Sequence, residues 1–344
     1  MNQVNRRITL ASRPDGYPTE ANFKLVEAPV PSIGPGQVLV QTLYLSLDPY
    51  MRGRMNAAKS YAPPVELGAT MVGGIVGKVI ASEHQKFKVG AIVEGRLGWQ
   101  DYGVSDGRDL RQVDPAAGPI STAVGVLGMP GLTAYFGLLD VCQPRPGDTV
   151  AVSAASGAVG QVVGQIAKLM GCRVVGIAGD PRKIAYITRE LAFDAAIDYK
   201  TEDLDVALDR ACPNGIDAYF DNVGGQVSEA VFRHLAYRPR IAICGQMALY
   251  NVEAAEPGAR SLRFMLVHRA RMEGFLVSDF ADRWPEGLKR LSRWVKDGKI
   301  KYREDVVEGL ENAPKAFLRL MRGENFGKLV VKVADQRPTQ GDNS

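Results

Sequence analysis

Residues Asp148 to Gly171 read DTVAVSAASGAVGQVVGQIAKLMG, and this stretch decides the fold. The turn Pro146-Gly147-Asp148 leads into it, and Thr149 to Ala154 is a short apolar, β-branched run of the length of a buried strand. Val159, Val162, Val163, Ile166, Ala167 and Met170 then recur at the spacing of one helical face, which stops at Gly171. Between the two lies Ala155-Ser156-Gly157-Ala158-Val159-Gly160. A strand, a glycine turn and a helix start in that order make an anion cradle, because the first amides of a helix lack intrahelical acceptors and sit at the positive end of its dipole. Gly157 has no Cβ to hold the backbone off a pyrophosphate, and Gly160 allows close packing of helix on strand. Ala155 stands where the dinucleotide fingerprint has its first glycine, so the motif is partial, and small-residue helix packing would also produce it.

The residues that follow strengthen the reading. Cys172 to Gly179 (CRVVGIAG) forms a second apolar run, with Asp180-Pro181-Arg182-Lys183 at its tip. An acid at that tip hydrogen-bonds the adenosine ribose of NAD, whereas a cation there accommodates the 2′-phosphate of NADP. Both are present, and Asp180 followed by Pro181 also reads as a helix N-cap with proline in the first turn.

Further strand-like runs occur at Ala195 to Tyr199, Asp217 to Val223, Arg240 to Cys244 and Arg271 to Val277, with helical segments between most of them. This alternation predicts a parallel sheet covered by helices, with ligand at the C-terminal ends of the strands. The first part of the chain differs. Gln37 to Leu45, Thr70 to Ser82 and Ala91 to Glu94 are short strands punctuated by Gly and Pro, as in a barrel-like domain. Near the end, Trp284 to Lys296 and Ala313 to Met321 read as helices, Asp305 to Val307 and Leu329 to Val333 as strands, and Asp335 to Ser344 as a polar, frayed tail.

A chain of 344 residues exceeds the size of a single core, so two domains are expected. The expectation is a β-rich domain of residues 1–127 plus 298–344, with an α/β cofactor domain of residues 128–297 inserted in it and the site in the cleft between them.

Several classes of function are disfavoured. The net charge of +4 is spread without a basic block, which argues against nucleic acid. No run approaches a membrane span, and the N-terminus has no apolar signal core, so a cytoplasmic protein is expected. Cys142, Cys172, Cys212 and Cys244 are far apart and read as reduced, mostly buried thiols. With only His84, His234 and His268 besides, no metal site is expected.

The motifs together resemble the zinc-free branch of the medium-chain dehydrogenase/reductase superfamily: the prostaglandin and leukotriene reductases, the alkenal double-bond reductases and above all the bacterial curcumin-reductase-like proteins. The matching stretches are LSLDPYMRGRM (Leu45 to Met55), VLGMPGLTAYFGLLD (Val126 to Asp140), AASGAVG, FDNVGG (Phe220 to Gly225), ICGQMALYN (Ile243 to Asn251), GFLVSDF (Gly274 to Phe280) and GENFGKLVVKV (Gly323 to Val333). They run through nearly the whole chain in family order. Zinc-dependent members carry a cysteine and a glycine-histidine-glutamate segment where this chain has LSLDPYMRG and LGATMVGGIVG, neither with Cys or His.

The resemblance implies a GroES-like β-rich catalytic domain with an inserted Rossmann domain, a doubly wound parallel sheet. It implies NADPH as cofactor, an enone or enal as substrate and a homodimer. The reaction it implies is zinc-independent reduction of the C=C bond, with NADPH:quinone reduction or a non-catalytic, crystallin-like NADPH-binding role as alternatives. By the same resemblance Gly157, Ala158, Val159 and Gly160 face the pyrophosphate, Lys183 and Tyr199 the 2′-phosphate, and Asn222 the ribose near the nicotinamide. Cys244 also lines the cofactor, backbone groups of Phe275, Leu276 and Val277 meet the carboxamide, and Asn325 closes over it. Tyr50 and Tyr250 stand at the reacting end, while Arg52 is a structural anchor and Trp99 and Tyr102 packing residues. On residue type alone, Tyr199 is also a strand-end aromatic, Asn222 and Asn325 turn residues, and Tyr250 a pocket wall.

Overall fold

The computed structural model describes residues 4–252 and 262–336. The stretch from Glu253 to Ser261 and the tail from Arg337 lie outside the described residues. The chain forms two compact units. One comprises the residues up to Val124, Glu304–Asn325 and those from Leu329; the other comprises Gly125–Arg303 and Phe326–Lys328.

In the first unit, β1 (Val4–Leu10) pairs antiparallel with β2 (Phe23–Pro29). Then come β3 (Val38–Ser46), the short helix α1 (Tyr50–Arg54), β4 (Ile75–Ser82), β5 (Ile92–Gly95), β6 (Tyr102–Ser105) and β7 (Arg111–Gln112). The expected strand over Thr70 to Ser82 starts only at Ile75. Its first part is broken where Gly73 passes the Trp99 indole so closely that a Cβ would lie 3.0 Å from it. Trp99 is fully buried, stacked on Phe23 at 5.6 Å and edge-on to Phe317 at 5.7 Å. Positions 23, 99 and 317 therefore share one core, which is why the end of the chain folds back into its first unit.

The second unit begins with α2 (Met129–Phe136) and β8 (Thr149–Ser153), followed by α3 (Gly160–Leu169), β9 (Arg173–Ala178), α4 (Pro181–Ala185) and β10 (Ala195–Asp198). It continues through α5 (Leu204–Ala211), β11 (Ile216–Asp221), α6 (Gly225–Arg233), β12 (Leu235–Ile243), α7 (Leu262–His268), β13 (Arg271–Gly274) and α8 (Trp284–Lys296). The chain returns to the first unit with β14 (Glu304–Glu308), α9 (Ala313–Met321) and β15 (Lys328–Lys332). There the sheet order is β14-β15-β3-β4-β5-β7, with β6 paired to β3.

The sheet of the second unit runs β10-β9-β8-β11-β12-β13, with every pair parallel. This is the doubly wound order, which reverses between β8 and β11 and opens a crevice at the C-terminal ends of those strands. All five residues of β8 are buried, as a parallel strand covered on both faces requires. Val150 and Val152 point into one core with Ile166 and Phe220, and Ala151 into the other with Val175 and Tyr219. The expected strand Arg271 to Val277 ends at Gly274 instead, because the Asp279 carboxylate accepts the Leu276 N–H at 2.8 Å and starts a helical turn at Val277.

Candidate cofactor and active site

The crevice is built on the turn after β8. Ala154 adopts a left-handed conformation (φ 48°), and the Gly157 N–H donates to its carbonyl at 2.9 Å. A Cβ on Gly160 would collide with that same oxygen and lie 2.8 Å from Ala155 Cα, so the helix approaches the strand as closely as only glycine allows. Beside Gly157 the space is open except for the Ala154 oxygen, 3.1 Å from where a Cβ would be. Ala155 is tolerated in place of the fingerprint's first glycine because Gly176, facing it on β9, has no side chain: a Cβ there would be 2.9 Å from that of Ala155. The first amides of α3 are thus presented by a tightly packed turn.

At the tip of β9, the Asp180 carboxylate accepts the Arg182 N–H at 2.7 Å and pairs with the Arg182 guanidinium at 2.9 Å. These hydrogen bonds to Arg182 hold its pKa down at about 2. The N-cap reading of Asp180 is therefore what the structure contains. Lys183 follows on α4. The Tyr199 ring lies against Gly179, where a Cβ would be 2.6 Å from Cε1, and the Lys200 stem lies there too, at 3.0 Å. Lys183, Tyr199 and Lys200 therefore stand around the ends of β9 and β10. Lys200 is missed by sequence reading, although its place beside Tyr199 is a usable signal.

Across the crevice, the Asn222 side chain donates to the Ser153 carbonyl at 2.8 Å, and its own N–H donates to Ser153 Oγ at 2.8 Å. The end of β11 is thereby fastened to the end of β8. The neighbouring Asp221 is a buried hub that sequence reading also missed. Its Oδ1 accepts from Ser153, Tyr219, Val223 and Gly224, and its Oδ2 from Ser228 and Gln246. Burial, together with the Asp221 charge, pushes the Tyr219 phenol well up, so it stays a neutral donor to that carboxylate.

Beyond β12, the Cys244 and Gly245 amides donate to the Asp221 carbonyl. Desolvation pushes the Cys244 thiol up to about 12, so it is neutral at physiological pH. Gly245 lies between two groups: a Cβ on it would be 3.6 Å from the Tyr250 hydroxyl and 3.0 Å from the Asn222 carbonyl oxygen. Tyr250 and Asn222 are thus brought together at the C-terminal ends of β11 and β12.

Phe275 packs on Phe220 and Phe280 at the end of β13. The Leu276 N–H is engaged by Asp279, and the Val277 carbonyl accepts from the Trp284 indole at 3.0 Å.

Tyr50 and Asn325 belong to the first unit. Tyr50 opens α1, where burial raises its phenol well above the ordinary range. Asn325 is buried in the turn between α9 and β15. Arg52 donates to Asn56 at 2.5 Å and to the Gly16 carbonyl at 2.7 Å, the anchoring role expected of it.

Two family models match, one described as the N-terminal domain of oxidoreductase over residues 6–113 and one as zinc-binding dehydrogenase over residues 158–293. Among the described residues no group of three or more His, Cys, Asp or Glu could hold a metal. The chain is 48% identical to the NADPH-dependent curcumin reductase of Escherichia coli, over 96% of this chain and 98% of that one. It is 43% identical to the NADP(+)-dependent 2-alkenal reductase of Nicotiana tabacum, over 96% of this chain and 98% of that one. The crystal structure of CurA in complex with NADPH from Vibrio vulnificus superposes with a TM-score of 0.93 at 48% identity, covering 96% of this chain and 99% of that one. Two whole-length relatives above 40% identity and this superposition lead to one conclusion: the chain belongs to the medium-chain dehydrogenase/reductase superfamily, in the group of the curcumin and 2-alkenal reductases.

Proposed function

We propose that this chain is an NADPH-dependent, zinc-independent reductase of the C=C bond of α,β-unsaturated aldehydes and ketones. The observation that carries the reading is the gathering of the Tyr250 hydroxyl and the Asn222 backbone carbonyl beside Gly245, in a crevice whose other end carries Lys183 and Tyr199. Bound NADPH supplies a hydride, which goes to the substrate β-carbon. The amides of Ala158, Val159 and Gly160 hold the pyrophosphate beside Gly157, and Lys183 and Tyr199 hold the 2′-phosphate. Asn222, oriented by Ser153, takes the ribose, and the neutral Cys244 thiol lines the site. With the Leu276 N–H engaged by Asp279, the carboxamide falls to backbone groups of Phe275 and Val277.

Reduction at the β-carbon moves negative charge onto the carbonyl oxygen. A donor aimed at that oxygen stabilises the transition state more than the ground state, and this is the role assigned to the Tyr250 O–H. A proton completes the α-carbon. The roles of Tyr50 at the substrate and Asn325 at the cofactor rest on the family resemblance.

The working form is a cytoplasmic homodimer. The free cysteines support a reducing compartment. Strand β13 lies at the edge of its sheet with all four residues exposed, Leu266 on α7, which packs against β12, is 78% exposed, and such an edge needs a cover. A single-chain mass in light scattering at micromolar concentration would reject the dimer. Steady-state NADPH oxidation with a panel of enals, enones and quinones tests the function. Turnover with enals and enones supports it, whereas turnover confined to quinones makes the chain a quinone reductase.

A further inference from the structure

We propose that Arg303 is a further cofactor ligand, a cation that binds a phosphate of the dinucleotide; this rests on the dinucleotide reading above. The guanidinium lies over the Phe326 ring at 4.4 Å and over the Tyr186 ring at 5.4 Å, and the two rings meet edge to face at 5.1 Å. The backbone of Arg303 is fixed as well. Its N–H donates to Gln161 Oε1 at 3.0 Å, and its carbonyl accepts the Lys328 N–H at 2.9 Å.

These anchors lead to both places where phosphate is expected. Gln161 is the second residue of α3, the helix that opens at the glycine turn. Gly327, next to Phe326, forms a parallel bridge with Gly157. On the other side, Tyr186 donates its O–H to the same Gln161 Oε1 at 2.8 Å, and it follows Lys183 by three positions on one continuous helical stretch. Residues three apart share a helix face. Arg303 is thus tied to the residues that place the glycine turn and to the helix that carries Lys183.

Among the described residues the Arg303 guanidinium has no carboxylate partner, and it lies against the two ring faces. Ring stacking holds the guanidinium plane while leaving its edge N–H groups to donate. A fixed fork of donors with its charge uncompensated suits phosphate oxygens.

The test is calorimetric titration of NADP⁺ and NAD⁺ into the parent chain and its Arg303→Met and Arg303→Lys variants, with thermal melts alongside. Arg303→Met keeps the apolar stem against the rings and removes the charge. It is expected to weaken NADP⁺ about 5- to 50-fold, the loss of a charge-assisted contact, with the melting temperature unchanged and the Lys variant keeping most of the affinity. A loss confined to NADP⁺ supports the proposal and assigns the contact to the 2′-phosphate. An equal loss with NAD⁺ also supports it and assigns the pyrophosphate. Unchanged NADP⁺ affinity in the Met variant, or equal losses in the Met and Lys variants, overturns the role of Arg303 and leaves the function reading standing. A parent chain that binds neither dinucleotide overturns both.

Discussion

The Asp180 carboxylate is paired with the Arg182 guanidinium at 2.9 Å and accepts the Arg182 N–H at 2.7 Å, so the acid at the tip of the second strand is engaged by its own helix. On the proposed function, an acid so engaged leaves the preference for a 2′-phosphate to Lys183, and this is open to test. Lys183→Ala is expected to weaken NADPH binding about 10- to 150-fold, as the loss of a charge-assisted contact, and NADH binding little. Equal losses for the two cofactors would return the choice to Asp180.

The same pair has a pH signature. The folded-state pKa of Asp180 is about 2, below the ordinary value of ~3.9, so the pair contributes to stability above pH ~4 and is lost as pH falls toward 2. Asp180→Asn keeps an N-cap oxygen but removes the charge. The melting difference between parent and variant should be constant from pH 8 to 5 and close in acid. A difference that grows below pH 4 would contradict the assignment.

Gly160→Ala tests the turn. Its added methyl meets the Ala154 oxygen and the Ala155 backbone, which cannot give way without moving the end of β8. Overpacking of this kind costs about 1–3 kcal/mol, more than the ~1 kcal/mol that alanine gains over glycine in a helix. The melting temperature should fall and cofactor affinity with it, whereas an unchanged melt would show that the turn has room to spare.

Tyr250→Phe keeps the ring and removes only the hydroxyl. If that hydroxyl stabilises the charge developing on the substrate oxygen, the hydride step in single turnover should slow roughly 10- to 1000-fold, with NADPH affinity little changed. A rate within about twofold of the parent would remove Tyr250 from the mechanism.

Much of the second unit was legible in sequence, for a physical reason. Strands buried on both faces, such as β8 and β9, are continuous apolar runs that cannot be mistaken for surface. The glycine turn was legible too, although only the structure explains Ala155, through the missing side chain of Gly176 facing it. Less could be read where one residue serves several distant partners. Asp221 looks like a turn acid before a glycine pair, yet it gathers donors from β8, β11, α6 and the turn after β12, none of which local spacing reveals. Asp180 was open between two roles because the same carboxylate position serves a ribose or a helix cap, and the cap becomes visible only with the position of Arg182. The strands over Thr70 to Ser82 and Arg271 to Val277 came out shorter than their apolar pattern, one broken by an indole packed on Gly73 and the other by the Asp279 cap.

The most direct measurement follows the hydride itself. NADPH carrying deuterium at nicotinamide C4 is mixed with an α,β-unsaturated ketone and the parent enzyme, and the product is read by NMR. The expected product is a saturated ketone with deuterium on the β-carbon and a solvent hydrogen on the α-carbon. Deuterium on the carbonyl carbon of an allylic alcohol would contradict it.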